Sequence, residues 1–183
     1  MSVGMLVPTS QRLVCTDLVI LCVLAVTLPS APLLLAKPEA PLSVIRVYTA
    51  PNGSIHIIYS DRKDIKPHKE KGQVACSSPH VAEDQRTAGW LVEYSNCCTS
   101  YPIPLTLVIY KSGRVIQRFG NGMLIANWHF LKGGEKVAFY TNTVHGDLAP
   151  HYELRNVQTG ALLDKWDGIL SGNSPEWATE LSQ

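Results

Sequence analysis

"IPLTLVIYKSGRVIQRF", residues 103–119, is the stretch whose reading decides the fold. Ile103, Leu105, Leu107 and Ile109 alternate with Pro104, Thr106, Val108 and Tyr110, a period of two that puts one set on each face of an extended strand. "KSG" (111–113) interrupts with glycine at the turn, and "RVIQRF" continues as the second arm of a hairpin. The same shape returns in "HYELRNV" (151–157), "QTG" (158–160) and "ALLDKW" (161–166). Upstream of each hairpin sits a further strand entry: "RTAGWLVEY" (86–94) follows the turn-like "EDQ", and "KVAFYTN" (136–142) follows "KGGE".

Like features recur at nearly constant spacing. Gly113 to Gly160 and Phe119 to Trp166 are each 47 residues, and Trp90 to Phe139 is 49. Two units of four short antiparallel strands are therefore expected, at about 74–120 and 121–168. "IRVYTAPNGSIHIIYSD" (45–61), with two strand-like runs around "APNGS", is either half a unit or a unit whose remainder has diverged into the charged "DRKDIKPHKEKG" (61–72). At the other end, "NSPEWATELSQ" (173–183) offers Ser174 as N-cap, Pro175 as first helical residue and Glu176 near the positive end of the dipole. A short helix over about 175–181 is expected, with Trp177 and Leu181 on the side that covers a sheet.

"WHFLKGGEKVAFYTN" (128–142) followed by "HYELRNVQTGALLDKWDG" (151–168) resembles one blade of a TolB-type or WD-repeat-like β-propeller, and "SPHVAEDQRTAGWLVEY" (78–94) resembles the entry to another. The resemblance covers about residues 74–168 and implies a fold without an activity. The mature chain as a whole is also similar to uncharacterised secreted bacterial proteins, which brings no function with it. Propellers close with about four to eight blades, so two units and a fragment cannot form a ring. Either the units pack face to face as a small sandwich, or chains assemble as homo-oligomers. The expected fold class is all-β, a compact protein of antiparallel, blade-like four-stranded sheets with a short C-terminal helix.

The chain has 183 residues, enough for one ordinary domain, with 17% charged residues and a formal net charge of +1. No field that would seek a polyanion is expected, and nucleic acid is excluded as a partner class. Arg12 precedes "LVCTDLVILCVLAVTL" (13–28), whose clean apolar run from Leu18 to Leu28 has the length of a signal-peptide core and falls short of a membrane span. Residues 1–36 are read as a signal peptide, cleaved after Ala31 or Ala36, in preference to an uncleaved anchor that would be the only membrane attachment. Leu21 before Cys22 argues against lipoprotein processing. Residues 37–183 form the expected single domain, periplasmic or extracellular.

That domain holds Cys76, Cys97 and Cys98. In an oxidising compartment, Cys97 or Cys98 in "YSNCCTSYPIP" (94–104) is expected to bridge Cys76, closing a loop of about 22 residues worth roughly 3 kcal/mol. The geometry strains this reading, because a hairpin turning near Asp84 sets Cys76 opposite Val92, about five residues short of Cys97.

The loops "SNCCTSYPIP" and "TVHGDLAPH" each join the second strand of a unit to its third. Loops on a repeated scaffold carry binding more often than strands do. Tyr101, His145, Asp147 and His151 are the expected contact residues, and the expected function is binding or structural, toward a protein or cell-envelope component. The alternative is a hydrolase or metal-dependent enzyme in the 95–104 and 143–151 loops. Against it stands the lack of a G-x-S-x-G elbow, an H-E-x-x-H pair or a phosphate loop. No catalytic residue, metal or cofactor is assigned.

Overall fold

The computed structural model describes residues 42–97, 99–146 and 148–182, all within one compact unit. The expected export segment, Cys98 and Asp147 lie outside the described residues. No helix among the described residues is long and apolar enough to cross a membrane.

Three antiparallel sheets follow one another along the chain. The first holds β1 (Val44–Thr49), β2 (Ile55–Tyr59) and the two-residue β3 (Asp64–Ile65). The second is the meander β4 (Gln73–Val81), β5 (Thr87–Tyr94), β6 (Ile103–Lys111) and β7 (Arg114–Phe119). The third repeats it with β8 (Leu124–Leu131), β9 (Lys136–Asn142), β10 (His151–Asn156) and β11 (Leu162–Asp167). The two repeat units are thus two four-stranded sheets, and the leading fragment is a three-stranded one.

The deciding hairpin forms as its turn chemistry requires. Lys111 pairs with Arg114, and Ser112 and Gly113 between them both have positive φ, 52° and 84°, the signature of a two-residue turn matched to strand twist. The "QTG" turn closes differently: the Asn156 side chain accepts from the Thr159 N–H, and Gly160 N–H donates to the Asn156 carbonyl.

The sheets stack. From β5 and β6, Trp90, Val92, Val108 and Tyr110 pack against Val44, Ile55, Ile57 and Tyr59 of the first sheet. The alternate residues Leu91, Leu107 and Ile109 pack the other way, against Ile125, Trp128, Val137 and Phe139 of the third. Both faces of the middle sheet are therefore core, and six consecutive residues of β5, Thr87 to Val92, are buried. Each large apolar side chain so buried contributes about 1.5–3 kcal/mol.

The outer faces are finished in two ways. On the third sheet, Ala138, Tyr152 and Leu154 are covered by the C-terminal turn, through Ala178 and Leu181. That turn is helix α1 (Glu176–Thr179) continued by a single 3-10 turn to Ser182. It starts one residue later than expected: Pro175 is the N-cap, and the Ser174 hydroxyl accepts from the Ser171 N–H instead of capping the helix. On the first sheet the outward residues make a polar ladder. The Arg46 guanidinium lies 4.9 Å over the Tyr48 ring, Tyr48 stacks on His56 at 5.0 Å, and His56 Nδ1 is 2.8 Å from Asp64.

Candidate functional site

The turns fix which loops share an end. In an antiparallel meander the first and third connections lie at one end and the second at the other. The Asp84 N–H in the β4–β5 turn donates to the Gly133 carbonyl in the β8–β9 turn at 3.2 Å, and Gln117 of β7 donates to Gln158 in the β10–β11 turn at 3.0 Å. The middle and third sheets are therefore aligned, like end to like end. The two second connections, 95–102 and 143–150, both emerge at the opposite end.

Along the first of these loops, Asn96 donates to the Thr99 hydroxyl, which donates to the Tyr101 carbonyl at 2.6 Å. Tyr101 stands 60% exposed. In the second loop His145 is exposed and Leu148 is 58% exposed. The strand β7 exits at this same end. Arg118, Phe119 and Gly120 there border two concavities, a cleft of about 230 Å³ shared with Glu153 and Arg155, and a groove of about 370 Å³ shared with Tyr94 and Glu70. Arg118 spans the two, its Nε donating to Glu70 at 2.8 Å.

His151 is placed differently from the other expected contacts. It opens β10, directly opposite Asp167 of β11, and is part of a chain of ions. Nδ1 meets the Asp167 carboxylate and Nε2 lies 3.1 Å from Glu153, whose other oxygen accepts from Arg155 Nε at 2.5 Å. Arg155 also donates to the Gly160 carbonyl and lies over the Phe119 ring. Carboxylates at both nitrogens favour the cationic form of the ring, and both nitrogens are engaged. Among the described residues no group of three or more potential ligands could hold a metal ion.

The hydrogen bond to Asp167 raises the His151 pKa against the lowering effect of its burial, and Glu153 adds to the rise. Burial works to raise the Glu153 pKa, but Arg155 and His151 hold it below the ordinary value, and His151 depresses that of Asp167. The raised histidine gives its stabilisation in full below the ordinary 6.5 and loses it as pH climbs through the raised value. The depressed carboxylates give theirs above the ordinary 4.5 and 3.8 and lose it on further acidification. The melting temperature lost in His151→Gln is accordingly expected to be largest between about pH 4.5 and 6.5 and to shrink on both sides. A loss that is the same at every pH would contradict the ion chain.

The expected staple does not form. No disulfide occurs among the described residues, and Cys76 is a buried free thiol. It pairs in register with Val92 and sits in the core between the first two sheets, while Cys97 lies in the loop beyond the end of β5. Five residues of strand would span about 16 Å, too far for a bond that needs its Cα atoms within about 7 Å. Burial first, then Glu93, pushes the Cys76 thiol up to about 12. In the native protein Cys76 is expected to resist an aromatic disulfide reagent at neutral pH and to react at once after unfolding, read by mass of the labelled peptide. Rapid native labelling would contradict its burial.

Compared with known proteins, no family model matches the chain and no curated protein matches it. The site therefore stands on its geometry. Two of its parts were missed in the sequence. His151, Glu153 and Arg155 alternate in "HYELRNV" and so share a face of one strand, a signal that was present. Arg118 carried no such signal, since its place depends on how two sheets stack.

Proposed function

We propose that the chain is an exported binding module whose loop end, formed by residues 95–102 and 143–150 beside Arg118, recognises a protein or cell-envelope component. One observation carries the reading: the hydrogen bond between the equivalent β4–β5 and β8–β9 turns aligns the two meanders, so both second connections emerge at the same end of the stack. Exposed Tyr101 and Leu148 supply apolar anchors, and the adjoining cleft supplies charged groups, the mixture that interface centres and rims use. The blade-like reading of the sheets belongs with this proposal. It is supported by two meanders of identical order and by a middle sheet packed on both faces. A hydrolase or metal-dependent site in the same loops is the weaker reading, because His151 is held at both nitrogens.

The test is capture of a partner from the native envelope, followed by affinity measurements with purified variants. Tyr101→Ala and His145→Ala are each expected to weaken binding by about tenfold or more. Arg114→Ala, on the opposite end at the β6–β7 turn, is expected to leave it unchanged. Equal affinity in all three would overturn the proposal, and unchanged melting temperatures would show that the fold is intact.

A further inference from the structure

A larger concavity lies at the other end of the described residues. It measures about 490 Å³, within the range of small-ligand pockets, and opens between the first and middle sheets beside the turns at 60–63, 86 and 112–113. Its walls are apolar: Leu42, Ile65 and the rings of Tyr59 and Tyr110. The Tyr59 hydroxyl donates to the Tyr110 hydroxyl at 3.4 Å, and burial, with Tyr59 beside it, pushes the Tyr110 pKa up. The charged residues that line the pocket are Lys63 and Arg86, both cations, and both are exposed.

Neither cation has a carboxylate partner among the described residues. The acids nearest in sequence make other bonds: Asp64 pairs with His56 at 2.8 Å. Asp61 accepts the main-chain N–H of Lys63 at 2.9 Å. Asp84 accepts the main-chain N–H groups of Arg86 and Thr87, the Thr87 hydroxyl and the Lys111 ammonium. The pocket thus pairs an apolar interior with two cations at its edge whose side chains make no salt bridge among the described residues.

We infer that this pocket binds a small amphipathic carboxylate, an aliphatic or aromatic acid whose apolar body lies against Leu42, Ile65, Tyr59 and Tyr110 and whose carboxylate is held by Arg86 and Lys63. The apolar body leaves water, and the carboxylate meets a guanidinium able to donate two parallel hydrogen bonds. The site is independent of the loop end and stands whether or not that end binds a partner.

Trp90 gives the readout, its ring centroid being 6.2 Å from that of Tyr110. Full-length protein is titrated with octanoate, decanoate and phenylpropionate, and with their methyl esters, while tryptophan fluorescence and binding heat are followed. Saturable binding of the acids, at least about tenfold tighter than of the esters, is expected, as is a further loss of about tenfold in Arg86→Ala and a smaller one in Lys63→Ala. Both replaced side chains are exposed, so circular dichroism and melting should match the unaltered protein. Absence of binding would overturn the inference. So would equal affinity for acids and esters, or an Arg86→Ala protein that binds as well as the original.

Discussion

Gly120→Ala is expected to destabilise the fold by about 2–5 kcal/mol, read as a lowered denaturation midpoint. A methyl group at this position would stand 2.2 Å from the Leu105 carbonyl oxygen, 3.4 Å from its carbon and 3.5 Å from the Thr106 Cα. These are main-chain atoms of β6, the strand between β5 and β7, so they can yield only by shifting the backbone of that strand. Gly120 also has a φ of +153°, which side chains seldom adopt. The substitution should reshape the two concavities that meet at Arg118, so the proposed partner binding should fall along with stability. An unchanged midpoint would mean that β7 does not leave its sheet across Leu105.

Trp128→Ala is expected to cost about 3–5 kcal/mol, because the indole is the largest fully buried side chain and fills the space between the middle and third sheets. Its Cη2 would lie 2.7 Å from a methyl placed on Gly89, so the glycine in "TAGWLVEY" is what lets the ring reach the sheet. The ring is fixed from two sides. It packs edge-on against His80 and Phe130, and Nε1 donates to the Ser78 carbonyl at 3.2 Å. Ser78 is free to accept because β4 is bulged there, between Ser77 and His80. Trp128→Phe keeps most of the apolar contact and leaves that carbonyl without its donor, at a cost of about 1–3 kcal/mol. Gly89→Ala should cost a similar amount by overpacking. If the alanine at 128 were tolerated within about 1 kcal/mol, the two sheets would not share the core described.

The hairpins were legible because local chemistry and packing agree at them. "IPLTLVIYKSGRVIQRF" has the period of a strand, a turn of the type that strand twist favours, and a partner of matching length. The repeat was legible for the same reason. The cap of α1 was not, because Ser174 has two acceptable uses and the local turn to Ser171 takes it. The cysteines misled through chemistry that export would permit and register forbids. Cys76 is a core residue facing the first sheet, and its distance from the loop was already implied by the hairpin that sets it opposite Val92.

The candidate site divides along similar lines. The equivalence of the two loops follows from strand order alone, and the structure adds that they emerge at the same end. His151, singled out as a contact, is also the centre of an ion chain, since its strand neighbours Glu153 and Arg155 lie on the same face. Arg118 and the pocket at Tyr59 and Tyr110 depend on which sheet stacks on which, and nothing in a single strand encodes that.

The most direct test of the proposed recognition end is site-specific photo-cross-linking in the cells that produce the protein, with the photoreactive residue placed at Tyr101, at His145 or at Arg114 in turn. One and the same partner is expected from Tyr101 and His145, with nothing comparable from Arg114. Different partners from the two loops, or the same partner captured as strongly from Arg114, would contradict a single recognition surface at the loop end.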